Sequence, residues 1–155
     1  MNLRIELVPR SSWGNNVRSM ITAMEWDIVR HECYRRAGYE CEICGGKGKK
    51  HPVECHEIWK YNKKTHIQKL VGLIALCPNC HTVKHLGRAE AVGILWLVVK
   101  HLKKINNWSE EKVYNYIDEV KADYIKKSKV NWTVDLGNLN KIIKKIRKEN
   151  EKSAW

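Results

Sequence analysis

Two Cys-x-x-Cys pairs constrain this chain more than any other feature of its sequence: Cys41 with Cys44, and Cys77 with Cys80. Each pair presents two thiolates from one tight turn, and two such turns can close a tetrahedral zinc site. Two glycines follow the first pair, so backbone amides can approach the sulfur atoms without hindrance from side chains. The sequence therefore predicts a structural zinc ion bound by these four cysteines.

Length and cysteine usage indicate one globular domain with reduced thiols. With 155 residues and 43% hydrophobic content, the chain can bury a core, and we interpret residues 1–155 as a single domain. Residues 1–13 contain no apolar run typical of a secretory signal, and the apolar stretch 91–99 is too short to span a bilayer. We therefore expect a cytoplasmic protein with no membrane partner, whose cysteines are thiols or metal ligands.

The charge of the chain predicts a polyanionic partner. The formal net charge is +12 and the pI is about 9.5. Such a field attracts polyanions and speeds their capture. Nucleic acid is the partner expected first. An anionic membrane surface, or a lysine-rich surface that serves only solubility, is the alternative explanation, and the oligomeric state stays open.

Hydrophobic periodicity predicts an α+β fold in three parts: an N-terminal helical segment (1–40), a zinc-knuckle core (41–87) and a helical C-terminal part (88–155). Helices are expected over 15–38, from Pro78 onward, over 88–104, after Ser109 and over 139–148. Strands are expected over 53–59 and 70–76, with a basic loop at 60–69 between them and a further extended stretch at 130–136.

Three histidines add more potential ligands than a four-cysteine site needs. His56 lies between the two cysteine pairs, and His81 and His85 follow the second pair. Residues four apart on a helix project from the same face, so the last two imidazoles can share one metal ion. This surplus indicates chemistry in addition to a structural zinc finger.

The residues Cys55-His56-Glu57, followed by the run from Leu76 to His85, resemble the HNH endonuclease motif with its ββα-metal, treble-clef zinc fold. The resemblance covers about residues 41–87. It implies a metal-dependent DNA endonuclease in which His56 is the general base and His81 and His85 bind a second, catalytic divalent ion. It also implies that the four cysteines hold a structural zinc ion. Beside a phosphate site, the basic residues that follow the first strand are expected to clamp the DNA backbone, and a solvated loop is the alternative: Lys60, Lys63, Lys64 and Lys69.

Two departures from the family pattern bear on this interpretation. Cys55 stands where the family usually has an Asp or His metal ligand, so either its thiolate joins the catalytic ion or a neighbouring carboxylate, Glu54 or Glu57, replaces it. A soft sulfur ligand would favour Zn²⁺, Co²⁺ or Ni²⁺, whereas oxygen ligands suit Mg²⁺ and Mn²⁺. Gly72 occupies the position of the family's middle Asn, and Gln68 or Asn62 is expected to hold the loop instead.

Two other functions remain open at this point. The chain could be a zinc-containing DNA-binding module without catalytic activity, in which the three histidines are incidental. The order Cys55-His56-Glu57 and then Cys77-Pro78-Asn79-Cys80 is also similar to zinc-dependent nucleobase deaminases. That second pattern leaves the first cysteine pair and the helix histidines without a role.

Overall fold

Helices surround a small three-stranded sheet in the computed structural model, which describes residues 2–153. Within these residues the helices are α1 (Val17–Met20), α2 (Ala23–Arg36), α3 (Pro78–Lys84), α4 (Leu86–Ala91), α5 (Leu95–Asn106), α6 (Glu110–Ser128) and α7 (Leu139–Ser153). The strands are β1 (Glu54–Asn62), β2 (Ile67–Leu76) and β3 (Thr133–Asp135). The expected α+β class is confirmed, and helices precede and follow a consecutive β1–β2–α3 unit.

The strands β1 and β2 form an antiparallel hairpin that is longer than predicted, and β3 adds to β2 in parallel. The stretch 60–69 was expected to be a loop, but most of it is strand: Lys60 pairs with Lys69 in the β1–β2 ladder, and the pairing continues to Asn62 and Ile67. Both side chains are exposed, and an antiparallel sheet tolerates such residues on a face open to water. Only residues 63–66 connect the two strands.

The hairpin turn is held by a side-chain amide. Asn62 Oδ1 accepts hydrogen bonds from the backbone N–H groups of Lys64 (2.9 Å) and Thr65 (3.1 Å). Asparagine favours turns because its side chain can bond its own backbone two residues on. Gln68 lies inside β2, outside the connection. Of the two residues expected to replace the amide missing at Gly72, Asn62 is therefore the one that holds the loop.

Two predicted helices are each divided in two. The 15–38 helix breaks before α2, because Thr22 and Glu25 form a reciprocal capping box there, with backbone-to-side-chain distances of 2.9 and 3.1 Å. The 88–104 helix breaks between α4 and α5, where Gly93 has a φ of 79° that disfavours other residues. No helix of the described chain combines the length and the apolar character that crossing a membrane requires.

The N-terminal segment threads between the C-terminal helices and the β1–β2–α3 unit. Leu3 is fully buried and exchanges two hydrogen bonds with the Asn106 side chain, at 2.7 and 2.8 Å. Ile5 N–H donates to Tyr116 Oη at 2.9 Å, and Glu6 N–H donates to the Lys84 carbonyl at 3.2 Å. This path places the Glu6 side chain beside the end of α3.

Candidate metal centres and active site

The structure brings the four predicted zinc ligands together. The sulfur atoms of Cys41, Cys44, Cys77 and Cys80 all lie within 4.8 Å of one another, and three of these residues are buried. Cys44, the most exposed of them, has its sulfur 3.6 Å from that of Cys77. These four residues could hold a zinc ion, since four thiolates are a standard structural zinc set.

Local geometry explains both cysteine turns. In the first turn, Gly45 has a φ of 74° and its N–H donates to the Cys41 carbonyl at 2.8 Å. Gly46 N–H points to the Cys44 sulfur at 3.4 Å, and a Cβ on Gly46 would lie only 3.2 Å from that sulfur. In the second turn, Cys77 is the N-cap of α3, and its sulfur accepts from the Cys80 N–H at 3.5 Å. The second knuckle is therefore the first turn of the helix that carries His81.

Electrostatics of the four sulfurs favour a bound cation. The Cys80 thiol donates to Cys41 and lowers the pKa of Cys41 to about 4, while the pKa of Cys80 is raised by the same contact and by burial. Burial also raises the pKa of Cys77 to about 11. One thiolate thus suppresses ionisation of the others. A divalent cation would offset the repulsion between several thiolates and allow all four to ionise. His101 Nε2 lies 3.1 Å from the Cys80 sulfur, a contact that the sequence did not predict.

A second cluster consists of the three histidines that the sequence singled out. His56 on β1, and His81 and His85 on α3 and at its end, each offer a ring nitrogen within 4.8 Å of the other two. The Nε2 atoms of His81 and His85 are 2.9 Å apart, so the expected i, i+4 pair does share one point in space. His56, expected as the general base, lies beside this pair, with its ring centroid 5.2 Å from that of His85.

Two carboxylates orient this histidine cluster. Glu6 Oε2 lies 2.9 Å from His56 Nε2, and Glu6 Oε1 accepts from the buried Lys84 ammonium at 2.9 Å. Glu54 accepts from His81 Nδ1 through one oxygen and lies 2.9 Å from His51 Nε2 through the other. An ionised carboxylate only accepts hydrogen bonds, so each partner nitrogen carries a hydrogen and the other ring nitrogen keeps its lone pair.

The surroundings keep the two helix imidazoles neutral near pH 7. Desolvation, with smaller contributions from the neighbouring His81 and His56, lowers the pKa of His85 to about 4. Desolvation also lowers the pKa of His81, although Glu54 opposes this effect. Burial disfavours ionisation of Glu6, but the hydrogen bond to His56 and the charge of Lys84 outweigh it, and the Glu6 pKa is lowered. The site therefore offers uncharged imidazoles, the form that binds metal ions and accepts protons.

The structure does not bring Cys55 to the helix histidines, contrary to expectation. Successive side chains of a strand point to opposite faces, so Cys55 faces away from His56 and packs against the cluster that contains Cys33. This contact and burial raise the pKa of Cys55, which opposes the thiolate form that a metal ligand needs. Cys55 is also absent from the Cys77 and Cys80 cluster, so the ligand set of the deaminase alternative does not form.

The two alternative carboxylates have different surroundings. Glu54 reaches the histidine cluster through His81, as described above. Glu57 instead accepts from the backbone N–H of Val17 at 3.0 Å and from the Trp59 indole at 3.1 Å. Burial raises its pKa. Glu57 therefore joins β1 to the first turn of α1, and Glu54 is the carboxylate placed to assist a metal at the histidines.

The predicted DNA-binding lysines lie away from the histidine cluster. Lys60 lies four positions after His56 on β1, which is about 13 Å along an extended strand. Lys63 and Lys64 are in the exposed turn, and Lys69 is exposed at the start of β2. The arginines that line the cavities around the histidines are Arg18 and Arg88, which the sequence analysis did not select. The lysines could contact only a DNA backbone that extends along the hairpin.

Comparison of the chain with models of known protein families, with curated proteins and with solved structures finds no match. The resemblance to the HNH motif therefore rests on the motif residues themselves. What the structure adds is their spatial arrangement: a four-cysteine cluster and a three-histidine cluster on one strand–strand–helix unit.

Proposed function

We propose that this chain is an HNH-type, metal-dependent endonuclease that hydrolyses DNA phosphodiester bonds. The observation that carries the proposal is the cluster of His56, His81 and His85, built from β1 and α3 with carboxylates behind two of the rings. Hydrolysis of a phosphodiester requires a base for water and positive charge for the phosphate. An imidazole of the cluster can supply the base, and the net charge of +12 attracts the anionic phosphates of DNA.

The four-cysteine cluster has a structural role in this proposal. A zinc ion held there would link the first knuckle to the first turn of α3, four residues or fewer before His81. Structural zinc sites contribute directly to folding free energy, and a small hairpin-and-helix unit has little core of its own. Zinc would therefore fix the helix that carries His81 and His85.

His56 acts as the general base. Its Nε2–H donates to Glu6, which leaves the Nδ1 lone pair to accept a proton from a water molecule. The Glu6 carboxylate then stabilises the imidazolium that forms, and Lys84 keeps that carboxylate ionised and in place. A positioned base of this kind contributes about 10²–10⁴-fold to the rate.

His81 and His85 hold the catalytic divalent ion. Glu54 fixes the His81 ring through Nδ1, so that its Nε2 faces the same point as Nε2 of His85. A bound divalent ion would neutralise the scissile phosphate and stabilise charge on the leaving oxygen. With two imidazoles as ligands, and the Glu54 carboxylate hydrogen-bonded behind one of them, Zn²⁺, Co²⁺ and Ni²⁺ suit the site better than Mg²⁺ or Mn²⁺.

One observation favours a second assignment for His56. Its ring lies as close to His85 as a third ligand would, because all three imidazoles offer a nitrogen within 4.8 Å. Three imidazoles are a known catalytic zinc set. In that case His56 binds the ion and the base is another group. The reaction class is unchanged, and only the role of one residue differs.

The proposal is tested by incubating plasmid DNA with zinc-loaded protein and, in turn, Mg²⁺, Mn²⁺, Co²⁺, Ni²⁺ and Zn²⁺. We expect cleavage with at least one transition ion. His56→Ala should reduce it about 10²–10⁴-fold while DNA binding stays nearly intact, since the base adds little to charge attraction. His31→Ala, an exposed histidine on α2, is the matched control. Binding without cleavage under every ion would favour the non-catalytic DNA-binding module.

A further inference from the structure

Two buried polar side chains near the histidines have no hydrogen-bond partner. Gln68 on β2 is fully buried, and neither its amide oxygen nor its amide nitrogen is bonded within the described chain. Ser12 is 1% exposed, and its hydroxyl is likewise unpaired. Buried polar groups without partners are costly and uncommon. Such groups in native proteins often serve a function that outweighs their cost in stability.

Both side chains line one cavity, which begins at the histidine cluster. This cavity has a volume of about 370 Å³, and His56, His81 and His85 form part of its wall. Its volume is within the range of about 300–1,000 Å³ that is typical of small-molecule sites. The cavity is therefore large enough for one flat heterocycle beside the proposed reaction centre.

Three indoles line the same cavity: Trp13, Trp26 and Trp59. Two of them are fixed by hydrogen bonds, because Trp59 Nε1 donates to Glu57 at 3.1 Å and Trp13 Nε1 donates to the Val8 carbonyl at 3.0 Å. Fixed aromatic faces are the surfaces on which proteins stack the bases of single-stranded nucleic acids. Arg18 also lines the cavity and can face a phosphate.

We propose that this cavity binds one unpaired nucleobase of the strand being cut, a role that rests on the proposed nuclease function. An amide presents a donor and an acceptor side by side, which matches the edge of a base, and Gln68 is the amide in the cavity wall that is buried and unpaired within the described chain. The hydroxyl of Ser12 supplies a third polar contact. Because Gln68 is fully buried, entry of a base requires a side-chain rotation at the wall. Trp13, 61% exposed, has the space to make it once its single hydrogen bond to the Val8 carbonyl opens, whereas Trp59 stays in place.

The substrate preference follows from this geometry. A base in a regular duplex is stacked and paired, so it reaches the cavity only after extrusion, which costs free energy. A base in a bulge, a mismatch or a single strand is already free of that cost. The enzyme should therefore cut next to an unpaired nucleotide faster than within a perfect duplex of the same sequence.

Binding is tested with the full-length His56→Ala protein and oligonucleotides that carry 2-aminopurine, a fluorescent base, at a bulged or a paired position. We expect saturable quenching of the bulged 2-aminopurine by the indoles and little change for the paired one. Gln68→Leu, which nearly keeps the side-chain volume, should raise the protein concentration needed for half-maximal quenching at least 10-fold. Val71→Ala, an exposed position on the same strand, should leave it unchanged. If the protein changes the fluorescence of the bulged and the paired oligonucleotide to the same extent, the proposal is overturned.

Two further readouts separate this proposal from a purely structural role and from the nuclease function. Gln68→Leu should raise Tm, because it removes an unpaired buried amide. In protein that retains His56, it should also reduce the ratio of the cleavage rate at a bulge to the cleavage rate in a duplex. Ser12→Ala should act in the same direction if Gln68→Leu does not fold. Cleavage with no bulge preference refutes the base site alone, whereas quenching without cleavage under any ion refutes the nuclease alone.

Discussion

The Glu6→Gln substitution should silence the general base while the fold persists. Glu6 accepts from His56 Nε2, which sets the tautomer that leaves Nδ1 free. A glutamine amide can instead donate to Nε2, so the hydrogen moves to Nδ1 and the base is lost. A comparable change of the histidine's orienting partner in a catalytic triad costs about 10⁴-fold. With the range for a positioned base, we expect a decrease of about 10²–10⁴-fold in the single-turnover cleavage rate.

The same substitution has a calculable effect on stability. The Lys84 side chain is 7% exposed, and its ammonium would exchange a carboxylate acceptor for the neutral oxygen of the glutamine amide. Hydrogen bonds to charged groups are worth about 1.5–3 kcal/mol and ordinary ones about 0.5–1.5 kcal/mol, so the exchange should cost roughly 1 kcal/mol. The Glu6 side chain is 32% exposed, and screening by solvent keeps the cost from being larger. For a chain of this size, each kcal/mol corresponds to about 2–4 °C, so the expected decrease in Tm is about 2–4 °C.

Cleavage of a labelled oligonucleotide and thermal melting by circular dichroism measure the two effects separately. Lys84→Met is the comparison variant: it removes the ammonium that holds Glu6 in place but leaves a carboxylate that can still accept from His56. The Tm of Lys84→Met should fall, while its cleavage rate stays within about tenfold of the wild-type rate. If Glu6→Gln cleaves DNA at the wild-type rate, Glu6 does not set the state of His56 and the reasoning fails.

Three other results are expected. Cys41→Ser or Cys80→Ser should lower the tightly bound zinc by about one ion per chain and unfold the knuckle region. Elemental analysis measures the first effect and near-ultraviolet circular dichroism the second, and full retention of the metal would contradict the ligand set. Cys55→Ala should leave the metal content and metal preference unchanged, because its thiol faces Cys33, and a shift from Zn²⁺ toward Mg²⁺ would restore Cys55 as a ligand. The pKa of His85 in the folded protein lies below its ordinary value of 6.5, so its contribution to stability is present above pH 6.5 and is lost as the pH falls toward 4. The Tm of His85→Gln should therefore depend less on pH across that range than the wild-type Tm. Parallel plots of Tm against pH for the two proteins would contradict this.

Local patterns predicted the ligand clusters well, because their spacing is set by short-range geometry. A Cys-x-x-Cys turn and an i, i+4 histidine pair fix the relative positions of their side chains whatever surrounds them. The period of two along β1 also carried information that the sequence analysis did not use. It places Glu54 and His56 on one face and Cys55 on the other, which would have identified Glu54 as the carboxylate at the site.

Other parts of the site depend on contacts between distant segments. Glu6 meets His56 across 50 residues and Lys84 across 78, and no local pattern in residues 2–9 marks it as part of a site. Its position follows from the burial of Leu3 and Ile5 between helices. The break of the predicted 15–38 helix had a local signal, the Thr22 and Glu25 capping box, which the apolar periodicity around it outweighed.

Metal content and cleavage rate, measured on the same sample of His56→Ala, test the central claim most directly. Wild-type protein should bind one zinc ion at the cysteines and one further divalent ion at the histidines, and should cut DNA. The variant should keep both ions and lose about 10²–10⁴-fold in rate. Loss of the second ion in step with activity would make His56 a ligand, and wild-type protein that binds both ions yet cuts no DNA would contradict the account.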